Sequence, residues 1–249
     1  MLNIVNDLHF KLTEIINQGW INGYNLGTGS AGLTLEALLK IPKNNFEIAD
    51  YDGIELKTKI GYFNKYISLF NSVPDSVLFA VEYIKNNYGY PDKDFNDFKV
   101  FNIAIEHRSI TNTRNWKFTI KIDFDKQCLS LIVLDKCGLF VDDRISWSFQ
   151  SIEEKLNRKL KYLALVDASS KKVNSEIFFK YNSFKIYKLI SFDKFLKLID
   201  QGKIRMTFKI GVFKSGKRFG QTHSHGISFD LLHSSVTELF EEVNDKDYI

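Results

Sequence analysis

The stretch Asp50-Tyr51-Asp52-Gly53-Ile54-Glu55-Leu56-Lys57-Thr58 constrains this chain more than any other. From Ile54 it alternates with period two, so Ile54 and Leu56 turn to one side of a strand and Glu55 and Lys57 to the other. The apolar side needs a core to pack on; the other side sets a carboxylate beside an ammonium. Gly53 suits a turn or bulge that re-aims the chain and swings Asp50 or Asp52 towards Glu55. Two converging carboxylates seat a hard divalent cation, and Mg²⁺ commonly takes one or two of them and keeps several waters. Lys57 beside them can polarise an attacking water or stabilise charge on a phosphate, a set suited to metal-assisted phosphodiester hydrolysis. The plainer alternative is a cross-strand salt bridge on a solvated face.

The flanking chain supplies elements for such a strand to pack on. Residues 3–18 carry Ile4, Leu8, Leu12, Ile15 and Ile16 on one stripe, which predicts an amphipathic helix ended by Gly19. A Gly/Asn/Ser/Thr-rich loop at 22–32 leads into a short apolar helix, 33–39, whose one acid is Glu36. That acid either pairs with Lys40 one turn on or points at the acidic cluster. Residues 62–70 read as a strand and 77–88 as a helix with Leu78, Val81 and Ile84 on its inner side. The polar run 89–98 reads as a surface connection between two lobes. Strands follow at 99–106, 118–125 and 128–134, the last two as a hairpin, then at 139–141 and 145–149. A helix with a basic face (Lys155, Arg158, Lys159) spans 152–160, a short buried strand 162–166 and a helix 192–200. Asp230 is expected to start a last amphipathic helix over 231–240.

A second informative segment runs from Lys203 to Phe229. Between Asp200 and Asp230 it has no acidic residue, while it holds Lys203, Arg205, Lys209, Lys214, Lys217 and Arg218 with His223 and His225. Arg205, Thr207 and Lys209 alternate with Met206, Phe208 and Ile210, a strand with a basic face, and Ser215 to Gly220 is a flexible cationic loop. A DNA backbone attracts such a local footprint, although charged faces also occur simply as solvated surface. His223 and His225 lack an evident third ligand for zinc, so they are read as groove contacts or as a turn around Gly226. The polar loop holding Arg108 and Arg114 is a further candidate for phosphate contact.

Composition narrows the class. With 44% apolar and 26% charged residues the chain has the means for a sizeable core, and its 22 Phe and 11 Tyr against 3 Pro favour strands and aromatic packing. A net charge of only +4 excludes a polybasic coat and requires any nucleic-acid footprint to be local. Cys128 and Cys137 are expected as free thiols. No apolar run reaches membrane-spanning length and the first residues do not resemble a signal peptide, so a cytoplasmic location is expected.

Asp50 followed by Glu55-Leu56-Lys57 resembles the PD-(D/E)xK nuclease motif. Taken with the glycine-rich loop before Glu36, Ser68-Leu69-Phe70, 145–149, Lys159-Leu160-Lys161-Tyr162, and 210–226 through Ser215-Gly216-Lys217 to Thr222-His223-x-His225-Gly226, the chain is similar over nearly its whole length to the MvaI/BcnI family of type II restriction endonucleases, relatives of the MutH nicking enzyme. The resemblance implies an α/β fold with a PD-(D/E)xK core, a central mixed sheet flanked by helices, and two lobes forming a DNA cleft. Residues 1–95, completed by 155–200, would be the catalytic lobe and 96–249 the recognition lobe. It implies Asp50 and Glu55 as Mg²⁺ ligands, Lys57 as the catalytic lysine and Glu36 as an accessory acid, and so favours Asp50 over Asp52. Arg205, Thr207, Lys209, Lys214, Lys217, Arg218, His223, His225, Asp230, Arg108 and Arg114 are the residues expected on double-stranded DNA. Family members that read C·G-rich sites carry an acid and arginines where this chain has Thr207, Lys209 and Asp230; Thr bonds several bases and Asp accepts from cytosine N4, so a different short target is expected. A monomer that cuts the two strands in separate events, and a cognate methyltransferase acting without direct contact, are also implied.

Three rivals stand beside this reading. A MutH-like strand nickase would cut one strand and need a partner. A catalytically idle DNA-binding module sits poorly with the complete set Glu36, Asp50, Glu55 and Lys57. An RNA-binding protein would expose aromatics for stacking, whereas those here fall mostly on apolar faces.

Overall fold

The computed structural model describes residues 2–24, 30–42, 48–61, 65–113 and 115–243. In chain order the elements are α1 (Leu2–Asn17), β1 (Trp20–Asn22), α2 (Ser30–Leu38), β2 (Ile54–Ile60), β3 (Tyr66–Ser72), α3 (Ala80–Tyr88), β4 (Tyr90–Pro91), β5 (Lys99–Glu106), β6 (Thr111–Asn112), β7 (Trp116–Asp123), β8 (Cys128–Asp135) and β9 (Phe140–Ser148). They continue as α4 (Phe149–Leu160), β10 (Tyr162–Val173), β11 (Glu176–Leu189), α5 (Phe192–Asp200), β12 (Ile204–Val212), β13 (Thr222–Leu232), α6 (Val236–Leu239) and β14 (Phe240–Glu242). The class is mixed α/β. Among the described residues no helix is long and apolar enough to cross a membrane.

The chain divides into two compact units. The first comprises Met1–Ile67, Leu156–Ser191 and His233–Ile249. Its sheet runs β1-β11-β10-β2, with β14 also on β11. β2 lies parallel to β10, Glu55 opposite Leu163 and Lys57 opposite Leu165, while β10 and β11 form a long antiparallel pair. The apolar side of β2, Ile54 and Leu56, meets Leu8, Leu12 and Ile15 of α1, Leu35 of α2 and Ala164 and Val166 of β10 in one buried cluster. Full burial of each such aliphatic side chain contributes roughly 1.5–3 kcal/mol, so the strand with the motif is held from its apolar face.

The second unit comprises Ser68–Lys155 and Phe192–Leu232. One sheet runs β3-β13-β12-β5-β4 and a second β6-β7-β8-β9. The core is aromatic: Phe208 meets Phe101 and Trp147 edge-on, and Phe229 stacks on Phe70.

Several expectations from sequence need correction. The join expected at 89–98 falls inside the second unit. Tyr90 and Pro91 pair with Val100 and Lys99, and Asp92 Oδ1 accepts from the backbone N–H groups of Asp94 and Phe95, so the polar run is a tied turn. Residues 233–243 return to the first unit, where Phe240 pairs with Leu189. The helix expected over 77–88 starts at Ala80: Phe79 has φ 55, and Leu78, expected inward, is 82% exposed. The helix expected over 231–240 shrinks to Val236–Leu239, because Ile227, Phe229 and Leu231 alternate inward along β13. The strand expected over 118–125 ends at Asp123, and Phe124 lies in the exposed turn beyond β7. Cys128 is buried and Cys137 exposed, both as free thiols.

Candidate active site

The geometry around Glu55 begins with a turn. Tyr51 and Ile54 exchange backbone hydrogen bonds of 2.9 and 2.8 Å around Asp52-Gly53, whose φ angles are 43° and 97°. An Asp-Gly pair suits a two-residue turn with both φ positive. Asp52 is thereby exposed at the tip, while Asp50 folds back so that its Oδ2 accepts from Leu56 N–H at 2.9 Å. The competition between Asp50 and Asp52 for the place beside Glu55 is decided locally by the turn. Tyr51 is buried and its hydroxyl bonds Asp7 and Lys11, pinning the turn to α1.

Glu55 is only 1% exposed. The polar face expected of this strand is therefore a lined interior. Lys57 Nζ donates to Glu55 Oε1 at 2.7 Å, and Lys159 Nζ stands 3.5 Å from the same oxygen. Oε2 is buried and has no hydrogen-bond partner among the described residues. Burial pushes the Glu55 carboxyl above the ordinary glutamate range; Lys57 opposes this, Asp50 adds to it and Lys159 opposes it.

An orphaned, buried carboxylate oxygen beside a second carboxylate fits a hard cation. Among the described residues no group of three His, Cys, Asp or Glu is placed to hold a metal, so Asp50 and Glu55 are the acids on offer and water and substrate oxygens would complete the shell. Glu36 sits partly exposed on α2, the helix that packs against β2 through Leu35. Lys159 stood in the sequence as part of a basic helix face and of the family-like stretch Lys159-Leu160-Lys161-Tyr162, with no sign that it meets Glu55. Its approach to Glu55 depends on α4 ending where β10 pairs with β2.

The basic segment lies in the second unit. On β12, Met206, Phe208 and Ile210 are buried and Arg205, Thr207 and Lys209 take the other face, as the alternation predicts. Asp230, opposite Arg205 and 7% exposed, accepts from Thr207 Oγ1 at 2.6 Å and from the Ser228 hydroxyl. Ser228 in turn bonds Ser68 at 2.7 Å, and Arg205 Nε is 3.7 Å from the Asp230 carboxylate. Asp230 thus orders Thr207 and Ser228 from a buried position.

Other candidates are already engaged. Lys214 pairs with Asp92 at 2.9 Å and Asp94 at 2.6 Å, and Arg108 with Asp200 at 2.6 Å. Lys209 and Lys217 are exposed, and Arg218 lies over the Phe213 ring at 3.9 Å. The expected flexible loop contains a short 3₁₀ turn, Gly216–Arg218. His223 packs between Phe213 and His225, with ring centroids 4.5 and 4.9 Å away. Arg114 lies outside the described residues.

No curated protein matches the chain. Among solved structures it is similar to the restriction endonuclease MvaI–cognate DNA substrate complex, with a TM-score of 0.88 and 30% identity over 96% of each chain. It is also similar to restriction endonuclease MvaI in the absence of DNA, with a TM-score of 0.63 and 27% identity over 96% of each chain. The model of the MvaI/BcnI restriction endonuclease family matches residues 10–240, nearly the whole sequence, and the chain belongs to that family.

Proposed function

We propose that the chain cleaves double-stranded DNA at a short target with Asp50 and Glu55 as ligands of a Mg²⁺ ion, Lys57 as catalytic lysine and Glu36 as accessory acid. Family membership makes it a sequence-specific type II restriction endonuclease, a site-specific deoxyribonuclease, with the divalent-metal dependence general to such enzymes. The observation that carries the residue assignment is Glu55 Oε2, buried without a donor, beside Asp50 and two lysines.

The bound ion would polarise the scissile phosphate and lower the pKa of a coordinated water. Glu55 and Asp50 would hold that charge in place. Lys57, anchored on Glu55 Oε1, orients the attacking water and offsets charge gathering on the phosphate oxygens. Water oxygen bonds to phosphorus as the water gives up a proton to solvent, the bond from phosphorus to the leaving sugar oxygen breaks, and that oxygen takes up a proton from solvent. Lys159, near the same Glu55 oxygen, favours the ionised carboxylate and helps orient it.

Arg205, Thr207, Lys209, Lys217, Arg218, His223 and His225 form the DNA-contacting set, with Asp230 buttressing Arg205 and Thr207. Lys214 and Arg108 contribute less, since acids already neutralise them. The enzyme works as a monomer in the cytoplasm, beside a methyltransferase that protects the same target.

The test is incubation of the purified protein with unmethylated phage DNA and Mg²⁺, with EDTA as control, followed by sequencing of the fragment ends. Discrete metal-dependent fragments sharing one short motif are expected. Single-strand nicks alone would replace this reading with a MutH-like nickase, and binding without cleavage would point to an idle DNA-binding module.

A further inference from the structure

Lys85 sits on the buried side of α3 with Ile84 and Tyr88, and is only 8% exposed. Its ammonium donates to Thr222 Oγ1 at 2.8 Å, and among the described residues it has no ion-pair partner. A buried ammonium with donors to spare is costly unless an anion meets it. Burial holds Lys85 below the ordinary lysine range, with Glu82 on the same helix opposing the shift.

Lys85 lines a cavity of about 410 Å³ together with Asn86, Lys99, Asp97, Phe98 and Gly220. Lys99, exposed on β5, donates to the Asn86 carbonyl at 2.7 Å, so a second ammonium is tethered at the rim. Asp97 is the one acid in the lining, against two lysines. Gly220, with φ 80, brings the cationic loop down onto the wall: a Cβ there would lie 3.1 Å from the Phe98 ring. Thr222, the partner of Lys85, opens β13 just before His223. Val212, the last residue of β12, also lines the cavity, which with Gly220 therefore borders both ends of the loop bearing the exposed Lys217 and Arg218.

We propose that Lys85, Lys99 and the cavity they line form a phosphate subsite that takes one backbone phosphate of the duplex held by the 215–220 loop. It is separate from the reading face of β12, and it rests on the reading of the chain as a duplex-DNA enzyme. A phosphate there supplies the anion that Lys85 lacks and carries no base information, so it strengthens binding to every sequence alike.

The test is fluorescence anisotropy of labelled cognate and unrelated duplexes in EDTA, which prevents cleavage, across a salt series. Lys85→Gln and Lys99→Gln are each expected to weaken both duplexes by a similar factor, roughly tenfold for Lys85. Each should also lower the slope of log affinity against log salt by about 0.9, the loss of one phosphate contact. Lys85→Arg should keep the slope, and so should Thr222→Val, which leaves the charge. Because Lys99 is exposed, Lys99→Gln carries the test even if Lys85→Gln folds poorly. Unchanged slopes in both glutamine variants would overturn the proposal and leave Lys85 as a prop for Thr222. If inorganic phosphate raises the melting temperature of the wild type but not of Lys85→Gln while DNA slopes stay fixed, the cavity is a free-anion site and the assignment to DNA fails. Failure of the wild type to bind any duplex would instead defeat the functional reading itself.

Discussion

Around Glu55 charge is concentrated and withheld from water; along residues 203–230 it is spread over many side chains, most of them at the surface. In the first region two acids and two lysines converge, and one buried oxygen is left unsatisfied. In the second, cations that looked available from the sequence are cancelled from a distance: Lys214 by Asp92 and Asp94, Arg205 in part by Asp230. The difference shows how the two kinds of signal should be weighed. A short motif on one strand keeps its meaning in the fold because the strand's own geometry sets its spacing. A tally of charges does not, because any distant acid can subtract from it.

The largest expected effect lies in the first region. Glu55→Ala should lower the cleavage rate with Mg²⁺ by roughly 10³-fold or more, while duplex affinity in EDTA changes little. Cleavage at the wild-type rate would remove Glu55 from the centre. Lys159→Gln should cost about 10- to 100-fold in rate, the usual range for groups that orient a metal ligand, with its cut-site sequence unchanged. A rate equal to wild type in single-turnover assays would reduce Lys159 to surface charge.

A stability measurement sharpens the same contrast. The Glu55 carboxyl is raised above the ordinary glutamate value of 4.5, chiefly by burial. Its contribution to stability is thus full below that value and is lost as pH rises through the raised one. At pH 8 the ionised group burdens the metal-free protein, so Glu55→Gln in EDTA should melt about 2–4 °C higher than wild type, the shift that ~1 kcal/mol produces in a chain near this size. The gap should close near pH 4. Mg²⁺ should raise the melting temperature of the wild type and not of the variant. A lower melting temperature for Glu55→Gln at pH 8 would mean that the lysines, not burial, dominate the site.

The smallest effects belong to the second region and separate free from cancelled charge. Lys209→Ala should lower the salt slope of binding by about 0.9, whereas Lys214→Ala should change affinity by less than about twofold. Equal effects would show that the acids on Lys214 let go when DNA arrives.

Much of this was legible in the sequence where the chemistry is local. Period two sent Ile54 and Leu56 to the core, the Asp-Gly pair made the turn, and Met206, Phe208 and Ile210 went inward beneath Arg205, Thr207 and Lys209. What failed was tied to partners far along the chain. The run 89–98 looked like a linker because its composition is polar, yet β4 pairing and the Asp92 bonds make it a turn. Leu78 fitted a helical stripe until Phe79 took a left-handed conformation.

By itself the sequence determined the strand that carries Glu55 and Lys57, the alternation of the basic strand and the α/β class, since each depends on the backbone period and on neighbours a few residues away. Only the tertiary structure decided that Glu55 is buried, that Lys159 joins it from 104 residues further on, that Lys214 is neutralised, that Lys85 is buried against Thr222, and that residues 233–243 rejoin the first unit. Burial and charge pairing are sums over everything that surrounds a side chain, and a linear order of residues does not contain those neighbours until the strands have found their partners.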